Sequence, residues 1–174
     1  MLRGAHLSLR IMMPEEVTLY ALRQNDPRRQ RADRFRLVSP ARAMAAHIRT
    51  SFLSEEETVL IIDLQEAAHV GYARWFTANP AAGTLEVEVV FYSPVHDTPA
   101  LRSEALALIC GYLFDDRPVE RVQLVLLPED EMGKSAATRA GFVKEGTLRQ
   151  MVFARGRWRD LELWSVLREE LCRA

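Results

Sequence analysis

Three strand-like segments follow one another without a helix between them, and this succession limits most strongly what the chain can fold into. They are TVLIIDLQ at 58–65, HVGYARWFT at 69–77 and GTLEVEVVFYS at 83–93. The segments are rich in β-branched and aromatic residues, while the connecting pieces EAA and ANPAAG are typical of turns. Because consecutive strands without intervening helices pair as neighbours, the sequence predicts an antiparallel meander.

Two helices are predicted before the meander. A first strand at His6–Met12 precedes a helix over 14–24, with Pro14 at its start. A second helix has Ser39 as N-cap and Pro40 at its first position. Its apolar residues recur every four positions and predict one buried stripe: Met44, Ile48 and Phe52.

Helices and strands alternate after the meander. A long helix is predicted from Pro99 to Phe114, then a central strand in VERVQLVLLP, a short helix from Glu131 to Arg139, and two strands around ARGRWRD. The order β-α-α-β-β-β-α-β-α-β-β predicts an α+β or mixed α/β fold with one largely antiparallel sheet. Its strand-helix-strand unit is expected to bring parallel neighbours together, with a ligand crevice at their carboxyl ends.

Bulk composition narrows the class of protein. With 174 residues, we expect a single domain over 1–174. A net charge of −1 gives no global field for nucleic acid, and no apolar run reaches the length of a membrane span. Cys110 and Cys172 suggest neither a disulfide framework nor a zinc site, and the histidines have no metal-ligand spacing. We therefore expect a cytoplasmic protein without a metal, a membrane partner or a nucleic-acid partner.

An arginine-rich run, DPRRQRADRFR at 26–36, connects the first two helices. One interpretation is a solvated loop or helix face, and the other is a site for a phosphate or an acidic partner. The pattern leaves both open.

The C-terminal third carries a resemblance to a known family. GF-x-x-EG spans Gly141 to Gly146, RQ follows at Arg149 and Gln150, and GRWRD-x-x-x-WSVL spans 156–167. With the order of elements, these motifs resemble the GNAT superfamily of acyl-CoA-dependent N-acyltransferases, and within it the ribosomal-protein-alanine N-acetyltransferase type. The likeness extends from about Val70 to the C-terminus. Gly141 suits the tight end of a helix and Gly146 a bulge in the next strand.

The resemblance implies that acetyl-CoA lies between two splayed parallel strands, with helices on both faces of the sheet. The backbone amides of the strand before the helix, at Val90, Phe91 and Tyr92, would polarise the thioester. The pyrophosphate would sit at the start of the long helix, where amides lack internal partners. In the family this turn carries an Arg or Gln, then a Gly, and then a Gly or Ala. The corresponding positions here hold Val95, Thr98 and Ala100.

Only Ala100 fits that pattern, and Pro99 offers no N–H. Leu101, Arg102 and Ser103 remain candidate phosphate contacts. Helix capping by Asp97 or Thr98 is the alternative interpretation of the same residues.

The resemblance also directs the search for proton-transfer groups. Glu86 and Glu88 lie on one face of the predicted strand at period two, and either could serve as the general base, with Glu88 preferred. A solvated outer face explains the same pattern.

For the general acid, the family's tyrosine is replaced by Ala137, its serine by Gly133 and its asparagine by Asp130. Ser135 and water are the candidate substitutes, and Asp130 is either a cofactor contact or a helix cap.

Two functions fit these patterns. The first is an N-acetyltransferase acting on a primary amine, such as a protein N-terminus, an amino sugar, an antibiotic or a biosynthetic intermediate. The second is a non-catalytic protein of the same fold that binds an acyl-CoA, a natural-product intermediate or a partner protein. A homodimer is possible in either case. Trp75 and Trp164 are expected in the core and Trp158 at the surface.

Overall fold

The computed structural model describes residues 1–25, 38–54, 57–79, 83–154 and 156–171. Its strands are β1 Leu2–Arg3, β2 Leu7–Ile11, β3 Glu57–Leu64, β4 Gly71–Asn79, β5 Thr84–Phe91, β6 Arg121–Leu126, β7 Val143–Ala154 and β8 Arg157–Leu167. Its helices are α1 Val17–Gln24, which a short 3₁₀ turn at Pro14–Glu16 precedes, α2 Pro40–Thr50, α3 Pro99–Asp116, α4 Glu131–Arg139 and α5 Arg168–Leu171. The predicted arginine-rich run and Cys172 lie outside the described residues.

The strands form one eight-stranded sheet in the order β1-β2-β3-β4-β5-β6-β8-β7. Strands β3, β4 and β5 pair antiparallel in chain order, which confirms the predicted meander. The pair β5–β6 is parallel and is joined through α3, while β6–β8 and β7–β8 are again antiparallel. The predicted mixed fold with one largely antiparallel sheet is therefore confirmed.

Helices cover both faces of the sheet. Successive strand residues alternate between the faces, so each face carries its own set of apolar side chains. On one face α3 buries Ile109 and Leu113 against apolar residues of the strands, including Val87 and Val89 of β5. On the opposite face α1 and α2 cover a second core cluster that contains Tyr20 and Tyr72. Each face is thus sealed by its own set of helices.

The buried side of α2 differs from the prediction. Ser39 caps the helix and Pro40 begins it, as expected, but Ile48 is 77% exposed and the buried residues are Ala43 and His47. The helix ends at Thr50, and Ser51 and Phe52 take positive φ values of 50° and 55°. Met44 and Phe52 pack against the core, so the predicted stripe was wrong at Ile48; Phe52 lies beyond the helix and reaches the core through this left-handed turn.

The C-terminal motif adopts the predicted local structure. Gly141 has φ 85° at the end of α4, and the register of β7 shifts between Lys144 and Gly146. Trp75 and Trp164 are buried and Trp158 is exposed, as predicted. Cys110 lies on the buried side of α3, and burial raises the pKa of its thiol to about 12. None of the helices described is long and apolar enough to span a bilayer.

Gly71 allows β4 and β5 to approach closely. A Cβ at this position would lie 2.2 Å from the carbonyl oxygen of Val90 and 3.0 Å from the Cα of Phe91. Both are backbone atoms, which cannot rotate away as a side chain can. The absence of a side chain at Gly71 therefore fixes where the second half of β5 lies.

We predict that Gly71→Ala lowers the free energy of unfolding by about 2–3 kcal/mol, because the added methyl group forces the two strands apart. The measurement is urea denaturation followed by circular dichroism. Gly111→Ala is the matched control: a Cβ there meets nothing within 4 Å, and Gly111 lies inside α3. That control is expected to stabilise the protein by about 0.5–1 kcal/mol. Equal effects of the two substitutions would contradict the close-approach argument.

Candidate active site

The parallel strands β5 and β6 separate shortly after they begin to pair. Their register covers Thr84↔Arg121, Leu85↔Val122 and Glu86↔Gln123 only. Beyond these pairs β5 continues to Phe91, still paired with β4, and β6 continues to Leu126, still paired with β8. Each strand keeps its outer neighbour, so a cleft opens between Val87–Phe91 and Leu124–Leu126 towards the carboxyl ends of both strands.

The direction of the β5 amides follows from one hydrogen bond. The N–H of Tyr92 donates to the carbonyl of Val70 at 2.8 Å and so points towards the β4 side. Because backbone N–H groups alternate along a strand, the N–H of Val90 points the same way. Those of Val89 and Phe91 point into the cleft. Of the amides predicted to meet the thioester, only that of Phe91 faces the cleft; Tyr92 was the wrong choice because its N–H is already bonded.

The start of α3 lies beyond the end of β5 and is capped by its own residues. Thr98 is the N-cap, and its hydroxyl accepts the N–H of Leu101 at 3.3 Å. Pro99 carries no N–H, so the first N–H of the helix is that of Ala100. This N–H has no hydrogen-bond acceptor among the described residues. The capping interpretation of Thr98 is therefore confirmed, and the turn offers a phosphate fewer amides than a glycine-rich turn would.

Arg102 joins the starts of α3 and α4. Its guanidinium donates to both carboxylate oxygens of Asp97, at 2.5 and 2.9 Å, and lies 3.9 Å from the carboxylate of Asp130. Asp130 in turn caps α4, since its carboxylate accepts the N–H of Gly133 at 2.8 Å. These contacts hold a cation beside the cleft mouth, with Ser103 one residue further along α3.

Glu88 is buried in an ion pair. It is 6% exposed and accepts a hydrogen bond from Nε of Arg74, whose other end donates to Glu57 at 2.9 Å. The guanidinium of Arg74 also lies over the rings of Tyr72 and Phe76. A carboxylate paired with a guanidinium is a weak proton acceptor, since its charged form is stabilised. Glu88, the preferred base in the sequence prediction, is therefore held in a buried ion pair, and its role as a base stays a prediction.

Glu86 stands at the point where the strands part. It belongs to the last parallel pair and accepts a hydrogen bond at 3.1 Å from the side-chain amide of Gln123, its partner on β6. Its exposed fraction is 9%. Both carboxylates thus lie on the face covered by α1 and α2, and the alternative of a solvated outer face is wrong for both.

The candidate general acid is not found on α4. Ser135 is exposed, while Gly133, Ala136 and Ala137 are buried. Residues two apart on a helix are separated by about 200°, so Ser135 faces away from the buried side that Gly133 and Ala137 share. The prediction that Ser135 replaces the missing tyrosine has no support in this geometry.

A buried histidine joins the site and was missed in the sequence. Nε2 of His69 lies 3.2 Å from the hydroxyl of Tyr92, and Nδ1 lies 3.4 Å from a carboxylate oxygen of Glu16. Arg10 binds Glu16 and also Asp63, which accepts the backbone N–H of His69. Burial lowers the pKa of His69 and raises that of Tyr92. No sequence pattern predicts this group, since its members come from residues 10–16, residues 63–69 and Tyr92, which are far apart in the chain.

A sheet that opens between two parallel strands, with a helix starting at the mouth, is the architecture of the GNAT acyltransferases, and the chain has that fold. The fold that the predicted resemblance to this superfamily implies is confirmed. Its narrower assignment to the ribosomal-protein-alanine type stays a prediction.

Comparisons with known proteins support this classification. The spermidine N-acetyltransferase of Vibrio cholerae, solved with CoA and spermine, superposes with a TM-score of 0.84 at 15% identity, over 97% of this chain and 99% of that one. A GNAT-family acetyltransferase of Bacillus anthracis gives 0.80 at 16% identity, again over 97% and 99%.

In sequence, the probable N-acetyltransferase YjcK of Bacillus subtilis is 27% identical over 77 residues. The match covers 44% of this chain and 42% of that protein, less than half the length of either. No protein-family profile matches the chain. Among the residues that the structure describes, no group of three or more His, Cys, Asp or Glu side chains is arranged to hold a metal ion.

We predict that Glu88→Gln destabilises the fold by about 3 kcal/mol, because it leaves the buried guanidinium of Arg74 without its close partner. The matched control is Glu57→Gln, which removes the other carboxylate of Arg74. The side chain of Glu57 is 48% exposed, so its loss is expected to cost at most about 1 kcal/mol. Thermal and urea unfolding measure both variants. A larger cost for Glu57→Gln would show that the Glu88 pair does not hold Arg74.

Proposed function

We propose that the protein transfers an acetyl group from acetyl-CoA to a primary amine of a small molecule. The observation that carries this proposal is the cleft between β5 and β6, into which the N–H groups of Val89 and Phe91 point. The pantetheine arm of CoA is an extended chain with amide groups, so it would pair with these strand edges as an added strand does. The likeness to structures of spermidine N-acetyltransferases supports the same choice.

The start of α3 fits the phosphates of CoA in part. The N–H of Ala100 and the positive end of the helix would face an anion, and the hydroxyl of Ser103 and the guanidinium of Arg102 are nearby donors. The hydroxyl of Thr98 competes for the N–H of Leu101. We infer that this turn holds phosphate with fewer backbone bonds and a larger share of side-chain contacts.

The chemistry requires two protons to move. The amine arrives as an ammonium ion and loses one proton before its nitrogen attacks the thioester carbonyl. The N–C bond forms, the C–S bond breaks, and a second proton passes from nitrogen to the thiolate. Acetyl-CoA supplies the activated acetyl group, and the N–H groups of Val89 and Phe91 stabilise negative charge on the carbonyl oxygen.

We assign the first proton to Glu86. It lies at the apex of the cleft and is hydrogen-bonded by a neutral amide, whereas Glu88 is hydrogen-bonded by a guanidinium. With Ala137 at the family's tyrosine position, water delivers the proton to the thiolate, whose conjugate acid is itself a weak acid.

The acceptor side of the cleft favours a cationic amine. Glu86 lies at the apex of the cleft, whereas Glu88 and the ring of Tyr72 already contact the guanidinium of Arg74. A carboxylate at the apex would attract an ammonium group. Because the structural neighbour from Vibrio cholerae was solved with spermine, alkyl polyamines are the first acceptors to test.

We predict that acetyl-CoA binds at one site with micromolar affinity by calorimetry. Desulfo-CoA is expected to bind comparably and an adenine nucleotide more weakly, because the cleft recognises the pantetheine arm. Spermidine, a simple alkyl diamine and a peptide with a free N-terminus are then assayed for CoA release.

Absence of binding at millimolar acetyl-CoA would exclude the proposed reaction. Binding without turnover on any amine would favour the second function, a non-catalytic acyl-CoA-binding protein, for which the Thr98-Pro99 turn and Ala137 are the motivating observations.

We predict that Glu86→Gln lowers kcat/KM for the best amine at least about 100-fold, since the base is lost. The affinity for acetyl-CoA is expected to stay within about twofold, because the substitution keeps shape and hydrogen bonding. Glu88→Gln, assayed well below its melting temperature, is expected to keep most activity. The reverse ranking of the two variants would assign the base to Glu88.

A further inference from the structure

A second cavity lies on the α3 face of the sheet, under the C-terminal half of that helix. Its volume is about 380 Å³. Strands β2, β3 and β4 form its floor through Leu9, Leu60 and Trp75, and Tyr112 and Arg117 close it from the helix side. This volume lies within the roughly 300–1,000 Å³ typical of small-molecule sites.

Trp75 supplies a buried hydrogen-bond donor to this cavity wall. The residue is 2% exposed, and its indole Nε1 has no hydrogen-bond partner among the described residues. An indole N–H can only donate, and a buried donor without an acceptor is costly. This atom has almost no accessible surface, so a ligand in the cavity packs against the ring of Trp75 and would reach the N–H only if neighbouring side chains moved.

Arg117 supplies a positive charge beside the same ring. Its guanidinium carbon lies 5.8 Å from the centroid of Trp75, and its backbone is held because its carbonyl accepts a hydrogen bond from Arg168 at 2.7 Å. No described carboxylate forms an ion pair with this guanidinium, whereas the guanidinium of Arg10, which also borders the cavity, is bound by Glu16 and Asp63. Arg117 therefore brings a positive charge to the cavity.

The remaining walls are apolar apart from Ser54 and Thr58. Leu9 and Leu60 are buried, and the ring of Tyr112 packs 5.7 Å from that of Trp75. The exposed apolar residues Ile11 and Leu53 border the cavity as well. A ligand here meets the guanidinium of Arg117, the two hydroxyl-bearing residues Ser54 and Thr58, and otherwise mainly aromatic and aliphatic surface.

We propose that this cavity binds a small monocarboxylate with a compact apolar body, such as an aryl or short alkyl acid. The carboxylate would accept hydrogen bonds from Arg117, and the body would pack on the ring of Trp75 and on Leu60 and Tyr112. The site is distinct from the proposed acetyl-transfer cleft and does not depend on it. The two are nevertheless adjacent, because Trp75 pairs with Val87, the first β5 residue beyond the last parallel pair.

The test uses phenylacetate as the probe, with phenylacetamide and phenethylamine as controls that keep the ring and change the head group. Nuclear magnetic resonance of ¹⁵N-labelled protein follows the indole signals of the three tryptophans, and Trp75→Phe assigns that of Trp75. We expect phenylacetate to shift the Trp75 indole signal saturably. Phenylacetamide should bind at least tenfold more weakly, and phenethylamine should not bind.

Two variants separate this site from nonspecific binding. Arg117→Gln is expected to weaken phenylacetate binding at least fivefold, while Arg139→Gln, the same change on α4, should leave it unchanged. Ile11→Trp, which fills the border of the cavity, should abolish the shift. The proposal is overturned if phenylacetate leaves the Trp75 signal unmoved at 20-fold excess over about 1 mM protein, or if the acid and the amide bind equally.

Discussion

The short parallel pairing of β5 and β6 is the constraint on which the rest of the site depends. Three residue pairs join the two strands before they part, and each then stays bonded only to its outer neighbour. Backbone donors and acceptors that face such a gap need partners, which an extended amide-bearing ligand can supply. The polarising amides, the position of Glu86 and the approach to α3 all follow from where the strands separate.

Residues around this cleft divide into those that hold the fold and those left for chemistry. Arg74 neutralises Glu88, Asp97 orients Arg102, and Thr98 and Asp130 cap the two helices that start at the cleft mouth. Each of these residues contacts a partner within the fold. Glu86 lies at the apex and accepts a hydrogen bond from the neutral amide of Gln123. Position and partner together, rather than residue type, distinguish the two glutamates.

The sequence predicted the elements far better than the site. The meander, the parallel unit around α3, the capped start of α2 and the bulge at Gly146 depend on local patterns, and each was confirmed. The predicted buried stripe of α2 was wrong at Ile48, which is exposed, while Phe52 reaches the core from a left-handed turn beyond the helix. Among the site residues, the pattern could place Glu86 and Glu88 on one face but could not say which of them Arg74 would bind.

What the sequence determined by itself is the order of elements and the family likeness, since periodicity, caps and glycine positions act over a few residues. The tertiary structure alone decided which groups meet. The contact of His69 with Glu16 and Tyr92, the pairing of Glu86 with Gln123, and the cavity between Trp75 and Arg117 join residues far apart in the chain. Their distances depend on strand register and helix packing, which no local pattern encodes.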